Sequence, residues 1–99
     1  MKVNIQSLHF NADNKLQEFI ESKLEKLATH YDKIIECDVI LRLDNASNNE
    51  NKNVEIKLHV PGNDLFAKRQ CASFEEAVDE CVDALRNQMI KHKEKIRQV

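Results

Sequence analysis

The chain holds little that would let it do covalent chemistry or cross a membrane. Its 99 residues include one glycine, Gly62, one proline, Pro61, and no tryptophan. A single glycine leaves no glycine-rich loop to bring backbone amides against a phosphate, and neither an H-E-x-x-H nor a G-x-S-x-G pattern occurs. No enzyme is expected. No apolar run approaches the roughly 20 residues needed to span a bilayer. Met1-Lys2-Val3 opens a strand-like stretch where a signal peptide would have its apolar region, so a cytoplasmic protein without membrane association is predicted. Cys37, Cys71 and Cys81 are odd in number and lack C-x-x-C spacing. They read as small buried hydrophobes, so neither a metal nor another cofactor is expected. A site combining them with His9, His30, His59 or His92 would need the fold to gather them. The five aromatics are Phe10, Phe19, Tyr31, Phe66 and Phe74, and at least Phe19, Tyr31 and Phe74 belong to apolar helical stripes. That leaves no aromatic platform for stacking single-stranded bases.

What remains is a pattern of two helices and four strands. Phe74, Val78, Cys81, Leu85, Met89 and Ile96 recur at helical spacing and predict a final helix over 74–99 with one apolar face. Leu16, Phe19, Ile20, Leu24, Leu27 and Tyr31 form a second such stripe, with Asp13 placed to cap its start. Val3, Ile5 and Ser7 alternate with polar residues, as do Cys37, Val39, Leu41 and Leu43, and, most clearly, Val54, Ile56, Leu58 and Val60. Asp44–Asn53, rich in Asn and without a large apolar side chain, is expected to be a mobile hairpin loop that no core holds. Pro61-Gly62-Asn63-Asp64 is a turn, and a fourth strand follows from about Leu65 to Cys71. The facing of that strand is ambiguous, because Arg69 falls on the same side as Leu65, Ala67 and Cys71.

The predicted order is β-α-β-β-β-α, an α+β fold in one domain over 1–99. A helical crossover favours parallel pairing of the first two strands, and the short links after them favour an antiparallel meander. Strands that alternate apolar with polar bury one face only, so both helices should pack on the same face of a four-stranded mixed sheet.

Charge is segregated along the final helix. Glu75, Glu76, Asp79, Glu80 and Asp83 fill its first half, whereas Arg86, Lys91, Lys93, Lys95 and Arg97 fill the second against Glu94 alone. The helix macrodipole favours such an order, but only within the terminal turns, and these cations extend over about three turns. A surface meeting phosphates accounts for that length. The formal net charge of -2 is unusual for a nucleic-acid binder, and segregation of the charges answers it. On the first helix Lys23 and Lys26 lie three apart and share a side, and packed helices would bring them near the basic end of the last.

Lys91-His92-Lys93-Glu94-Lys95-Ile96-Arg97-Gln98 carries a resemblance when it is taken with Ala77-Val78-Asp79, Leu85, Gln88, Met89, Lys23-Leu24-x-Lys26-Leu27 and Leu58-His59-Val60. Across its full length the chain resembles short-form ribosome hibernation promoting factors, the family that includes ribosome-associated inhibitor A. The resemblance implies a fold like that of double-stranded RNA-binding domains. It implies binding to 16S rRNA of the small subunit, in the channel for mRNA and the A-site and P-site tRNAs, on 30S or 70S ribosomes. Translation would be blocked and idle ribosomes preserved in stationary phase or stress. RNA contacts carry over to Lys23, Lys26, Arg86, Lys91, Lys93, Lys95 and Arg97. No small-molecule substrate and a monomeric free state are expected. The C-terminal dimerisation domain of long forms is expected to be absent, so any pairing of ribosomes would need a partner or induced contacts.

Departures from the family pattern are visible too. Ala72-Ser73-Phe74 replaces an acidic-Met-Tyr triplet, Ala84 stands where Lys is common, and Asn87 replaces a basic residue while Arg86 lies one position, about 100 degrees, away. Two other classes fit the residues: a general double-stranded RNA-binding module, and a small interaction domain whose charges are only solvated surface. Preference for intact subunits over plain duplex separates the first from the ribosomal reading, and absence of RNA binding separates the second.

Overall fold

A computed structural model describes residues 1–44 and 49–97, with side chains through His92. The elements are β1 (Lys2–Leu8), α1 (Asn14–Thr29), β2 (Glu36–Leu43), β3 (Lys52–Val60), β4 (Asn63–Cys71) and α2 (Phe74–Arg97). The sheet runs in the order β1-β2-β3-β4, with β1 parallel to β2 and the other neighbours antiparallel. This is the expected α+β architecture.

Register turns the alternation into rows that cross all four strands. Ile5, Val39, Ile56 and Ala67 form one, and Val3, Cys37, Leu58 and Leu65 another. Their central members are almost completely buried under the helices. Leu16, Ile20, Leu24 and Leu27 of α1 and Val78, Cys81, Val82, Leu85 and Met89 of α2 close the core from above. A third row, Ser7, Leu41, Val54 and Arg69, settles the facing of β4. Leu65, Ala67 and Cys71 point inward, and Arg69 follows them at the sheet edge, where its Nε lies 3.8 Å from Glu80 Oε1 of α2. An edge position lets a charged head leave the core face, which the middle of a sheet would not permit.

Local chemistry fixes the ends. Asp13 Oδ1 accepts from the Leu16 amide at 2.8 Å, and Ser73 Oγ accepts from the Glu76 amide at 3.1 Å to cap α2. Pro61 and Gly62 make the β3–β4 turn, with Gly62 at φ 85 as the turn requires. The loop expected over Asp44–Asn53 is shorter than that. β3 already begins at Lys52, and Asn53 is only 2% exposed, its side-chain amide donating to Asp44 and Gln70. Composition hides this because Asn53 is held by polar partners instead of by apolar contact. Residues 45–48 of that loop lie outside the described residues.

The two helices run parallel. β1 and β4 point the same way, and each is followed by a helix that returns over the sheet. Three contacts mark the alignment in order: Phe10 stacks on Phe74 with centroids 4.9 Å apart, Lys23 meets Asp79, and Tyr31 stacks on His92 at 6.1 Å.

Ile56 sits fully buried in the central row, and truncation there leaves a cavity that rigid neighbours fill poorly. Ile56→Ala should cost about 2–5 kcal/mol in urea unfolding, whereas Phe66→Ala on the uncovered face should cost less than about 1.

Candidate nucleic-acid interface

Parallel alignment puts both helix C-termini at one end of the molecule, where unsatisfied carbonyls favour cations. Lys26 is exposed in the last turn of α1, one turn before His30. His30 lines a cleft with Arg86, Met89 and Ile90, so Arg86 faces the end of α1. Its Nη1 lies 3.4 Å from Asp83 Oδ1, an exposed pair one turn back. Lys91 occupies the opposite flank of α2, beside Asn63, Leu65, Gln88 and His92 in a notch of about 210 Å³ below the β3–β4 turn. The backbone of α2 continues as helix through Lys93, Lys95 and Arg97, whose side chains lie outside the described residues.

Lys23 stands apart from this group. Its Nζ is 3.0 Å from Asp79 Oδ1 and 5.4 Å from the Phe19 ring centroid, so it is committed to the acidic half of α2. The sequence shows that Lys23 and Lys26 share a face but not how far one helix slides against the other. With this stagger the two lysines straddle the boundary between the acidic and basic halves.

Several neighbours of the cations take roles that the sequence did not assign to them. Gln88 caps the edge of β4: its Nε2 donates to the Phe66 carbonyl at 2.8 Å and its Oε1 accepts from the Phe66 amide at 3.3 Å. A side-chain amide thus takes the place of a further strand, which blunts the edge. His92 stacks on Tyr31, and its Nε2 is buried without a hydrogen bond among the described residues. Ile90 is 50% exposed in the middle of a basic stretch. Asn63 carries no helical or charge signature, so only the tertiary fold reveals it, and the contact of Gln88 with the β4 edge is likewise a tertiary one.

The uncovered face of the sheet is of a different kind. His59 lies between Asp38, 2.6 Å from its Nε2, and Asp64, 3.2 Å from its Nδ1. Asn4 donates to Asp38 at 2.9 Å and also to Glu36, and Arg42 reaches Glu55 at 3.8 Å. The hydrogen bond to Asp38 holds the imidazole above its ordinary 6.5, while bonds from Asn4 and His59 hold the Asp38 carboxyl below 3.8. These charges serve one another, while Lys57 and Lys68 stand on the same face without a salt bridge among the described residues.

The cysteines are core residues, as their spacing suggests. Burial pushes the Cys37 thiol up to about 12 and Cys81 to about 11, so both stay protonated at neutral pH. Burial and the neighbouring Glu80, 3.2 Å from its Sγ, do the same to Cys71, which rises to about 12. Among the described residues the fold gathers Cys71 with Glu76 and Glu80, and no histidine joins them.

Comparison with known proteins places this geometry in a family. Residues 3–97 match the family model described as Sigma 54 modulation protein / S30EA ribosomal protein. The chain is 32% identical over 95 residues to the ribosome hibernation promoting factor of Pseudomonas putida, covering 96% of this chain and 89% of that protein. It is 29% identical over 98 residues to the Escherichia coli factor of the same name, covering 99% of each. In fold it is similar to a ribosomal subunit interface protein from Coxiella burnetii, with a TM-score of 0.83 at 22% identity over 94% of this chain and 98% of that one. It is similar also to the Protein Y N-terminal domain from Thermus thermophilus, with a TM-score of 0.76 at 22% identity over 89% and 94%. The chain belongs to the Sigma 54 modulation protein / S30EA ribosomal protein family, and with those relatives it is a binding protein and not an enzyme.

The His59 pair gives stability a pH dependence of definite sign. A folded pKa above the unfolded 6.5 stabilises fully below 6.5 and is lost as pH rises through the folded value. Thermal melts taken from about pH 6 to 9 should show the melting temperature falling in the wild type and staying flatter in His59→Gln.

Proposed function

We propose that this family member silences translation by binding 16S rRNA of the small ribosomal subunit, in the channel that mRNA and the A-site and P-site tRNAs use, and so preserves idle ribosomes. The observation that carries this is the parallel helix pair, which draws Lys26, Arg86 and Lys91 from separate parts of the chain toward one end of the helical layer. Lys93, Lys95 and Arg97 extend the same helix beyond them. The names of the relatives, ribosome hibernation promoting factors, support the same reading.

In this mechanism the cations neutralise phosphates of folded rRNA and release counterions. Shape and not base sequence sets specificity, because the described helix surface presents charge and no row of aromatics. Lys23 takes part by exchanging Asp79 for a phosphate. That exchange is cheap, since an exposed ion pair contributes only about 0–1 kcal/mol. The protein acts in the cytoplasm under stress or in stationary phase, through this ribosome-binding domain, and is monomeric when free.

Binding to purified 30S subunits, followed by sedimentation between about 50 and 200 mM salt, should fall with a log-log slope of order -4 to -5. Combined Lys91→Glu, Lys93→Glu and Lys95→Glu substitution should leave the protein at the top of the gradient, with a loss of at least about 100-fold. Asp79→Asn removes a competing anion and should tighten binding about two- to fivefold. Equal affinity for plain RNA duplex and for 30S subunits would instead establish a general duplex-binding module.

A further inference from the structure

Where α1 ends against the middle of α2, the two helices leave a cleft of about 360 Å³ lined by His30, Arg86, Met89 and Ile90. Met89 is only 2% exposed and forms an apolar floor, while Ile90 is 50% exposed and forms one wall. A half-exposed isoleucine is out of place on a surface otherwise occupied by Arg86, Asn87, Lys91 and their neighbours, and no described element covers it. The cleft thus joins an apolar lining to two flat, nitrogen-rich side chains. That is the combination with which proteins hold bases taken out of a stack.

Size and charge narrow the occupant. The space suits one base with its sugar and is much too small for a duplex, whose bases are in any case stacked and turned inward. Among the described residues the salt bridge of Arg86 is an exposed contact of 3.4 Å to Asp83, so its guanidinium can turn to a phosphate. Lys26 adds a second cation one turn before His30 on α1. Asp83 is the acidic group beside Arg86, and it is 71% exposed, free to swing into solvent.

We infer that this cleft captures one unpaired nucleotide of RNA, with its base against Met89 and Ile90 and its phosphate on Arg86. The inference rests on the ribosomal reading above and adds a base contact to an interface otherwise built from phosphate contacts. It also gives Arg86 a task different from that of a cation on the outer surface of the helix.

Purified 30S subunits are titrated with wild type, Ile90→Ala, Ile90→Glu and Arg86→Ala across a salt series, with dimethyl sulfate probing of the 16S rRNA at saturating protein. Because Ile90 is half exposed, its variants should keep the wild-type melting temperature, which is measured alongside. Ile90→Ala should weaken binding about five- to tenfold with the salt slope unchanged, since apolar contact and no phosphate contact is lost. Arg86→Ala should weaken binding and also flatten the slope by about 0.7 to 0.9. Wild type should shield one unpaired adenine or cytosine that Ile90→Ala and Ile90→Glu leave reactive. Wild-type affinity and footprint in both Ile90 variants would overturn the inference, as would an affinity loss without any change in base reactivity, which would point to a ribosomal protein as the occupant. Failure of the wild type itself to bind 30S subunits would overturn the ribosomal reading and this inference with it.

Discussion

The parallel course of α1 and α2 over a sheet covered on one side decides most of what this molecule can present. It follows from the pairing of β1 with β2, because a helical crossover between parallel strands sends α1 back over the core face, and the meander then delivers α2 in the same direction. Antiparallel helices would have set the basic half of α2 against the start of α1, where Asp13 and the helix N-terminus lie. In the parallel arrangement both helix C-termini and the cations gather at one end. The macrodipoles then favour the charges that are there.

Apolar rows hold this geometry in place. Ile5, Val39, Ile56 and Ala67 fix the register of all four strands, and a slip of one residue would turn each row to solvent. The helices rest on those rows through side chains that are buried on α1 from Leu16 to Leu27 and on α2 from Ala77 to Met89. Positions of cations at the rim therefore depend on methyl groups in the core. The core supplies rigidity, and on the proposed reading the rim supplies recognition and little stability.

Much of this was legible in the sequence wherever one physical period governed a segment. Val54, Ile56, Leu58 and Val60 announce β3, and the stripes from Leu16 and Phe74 announce both helices, because burial on one face imposes a period of two or of 3.6. Arg69 was not legible, since its place depends on being at an edge within reach of Glu80. Asn53 was missed for a related reason: polar burial depends on partners at a distance, here Asp44 and Gln70, and composition cannot supply them. At the interface the residue types and the basic half of α2 were readable, but not the stagger that binds Lys23 to Asp79 or the cleft beside Ile90. Stagger is set by how two apolar stripes interdigitate, which neither stripe records alone.

A net charge of -2 and the proposed attraction for phosphate are compatible because of distance. Along α2 the acidic group is centred near Asp79 and the basic group near His92, 13 residues apart, which at 1.5 Å per residue is about 20 Å. Screening at physiological ionic strength acts over about 8 Å, so a phosphate at the basic end sits more than two screening lengths from the acids. It feels chiefly the nearby cations. Approach from the other end meets the acids first and is repelled, so under the proposed function the same charges that make the protein acidic overall also select the orientation in which it docks. A uniformly basic domain would bind any duplex from any side. Here Lys23 and Asp79, paired at the boundary, mark where attraction gives way to repulsion on that reading.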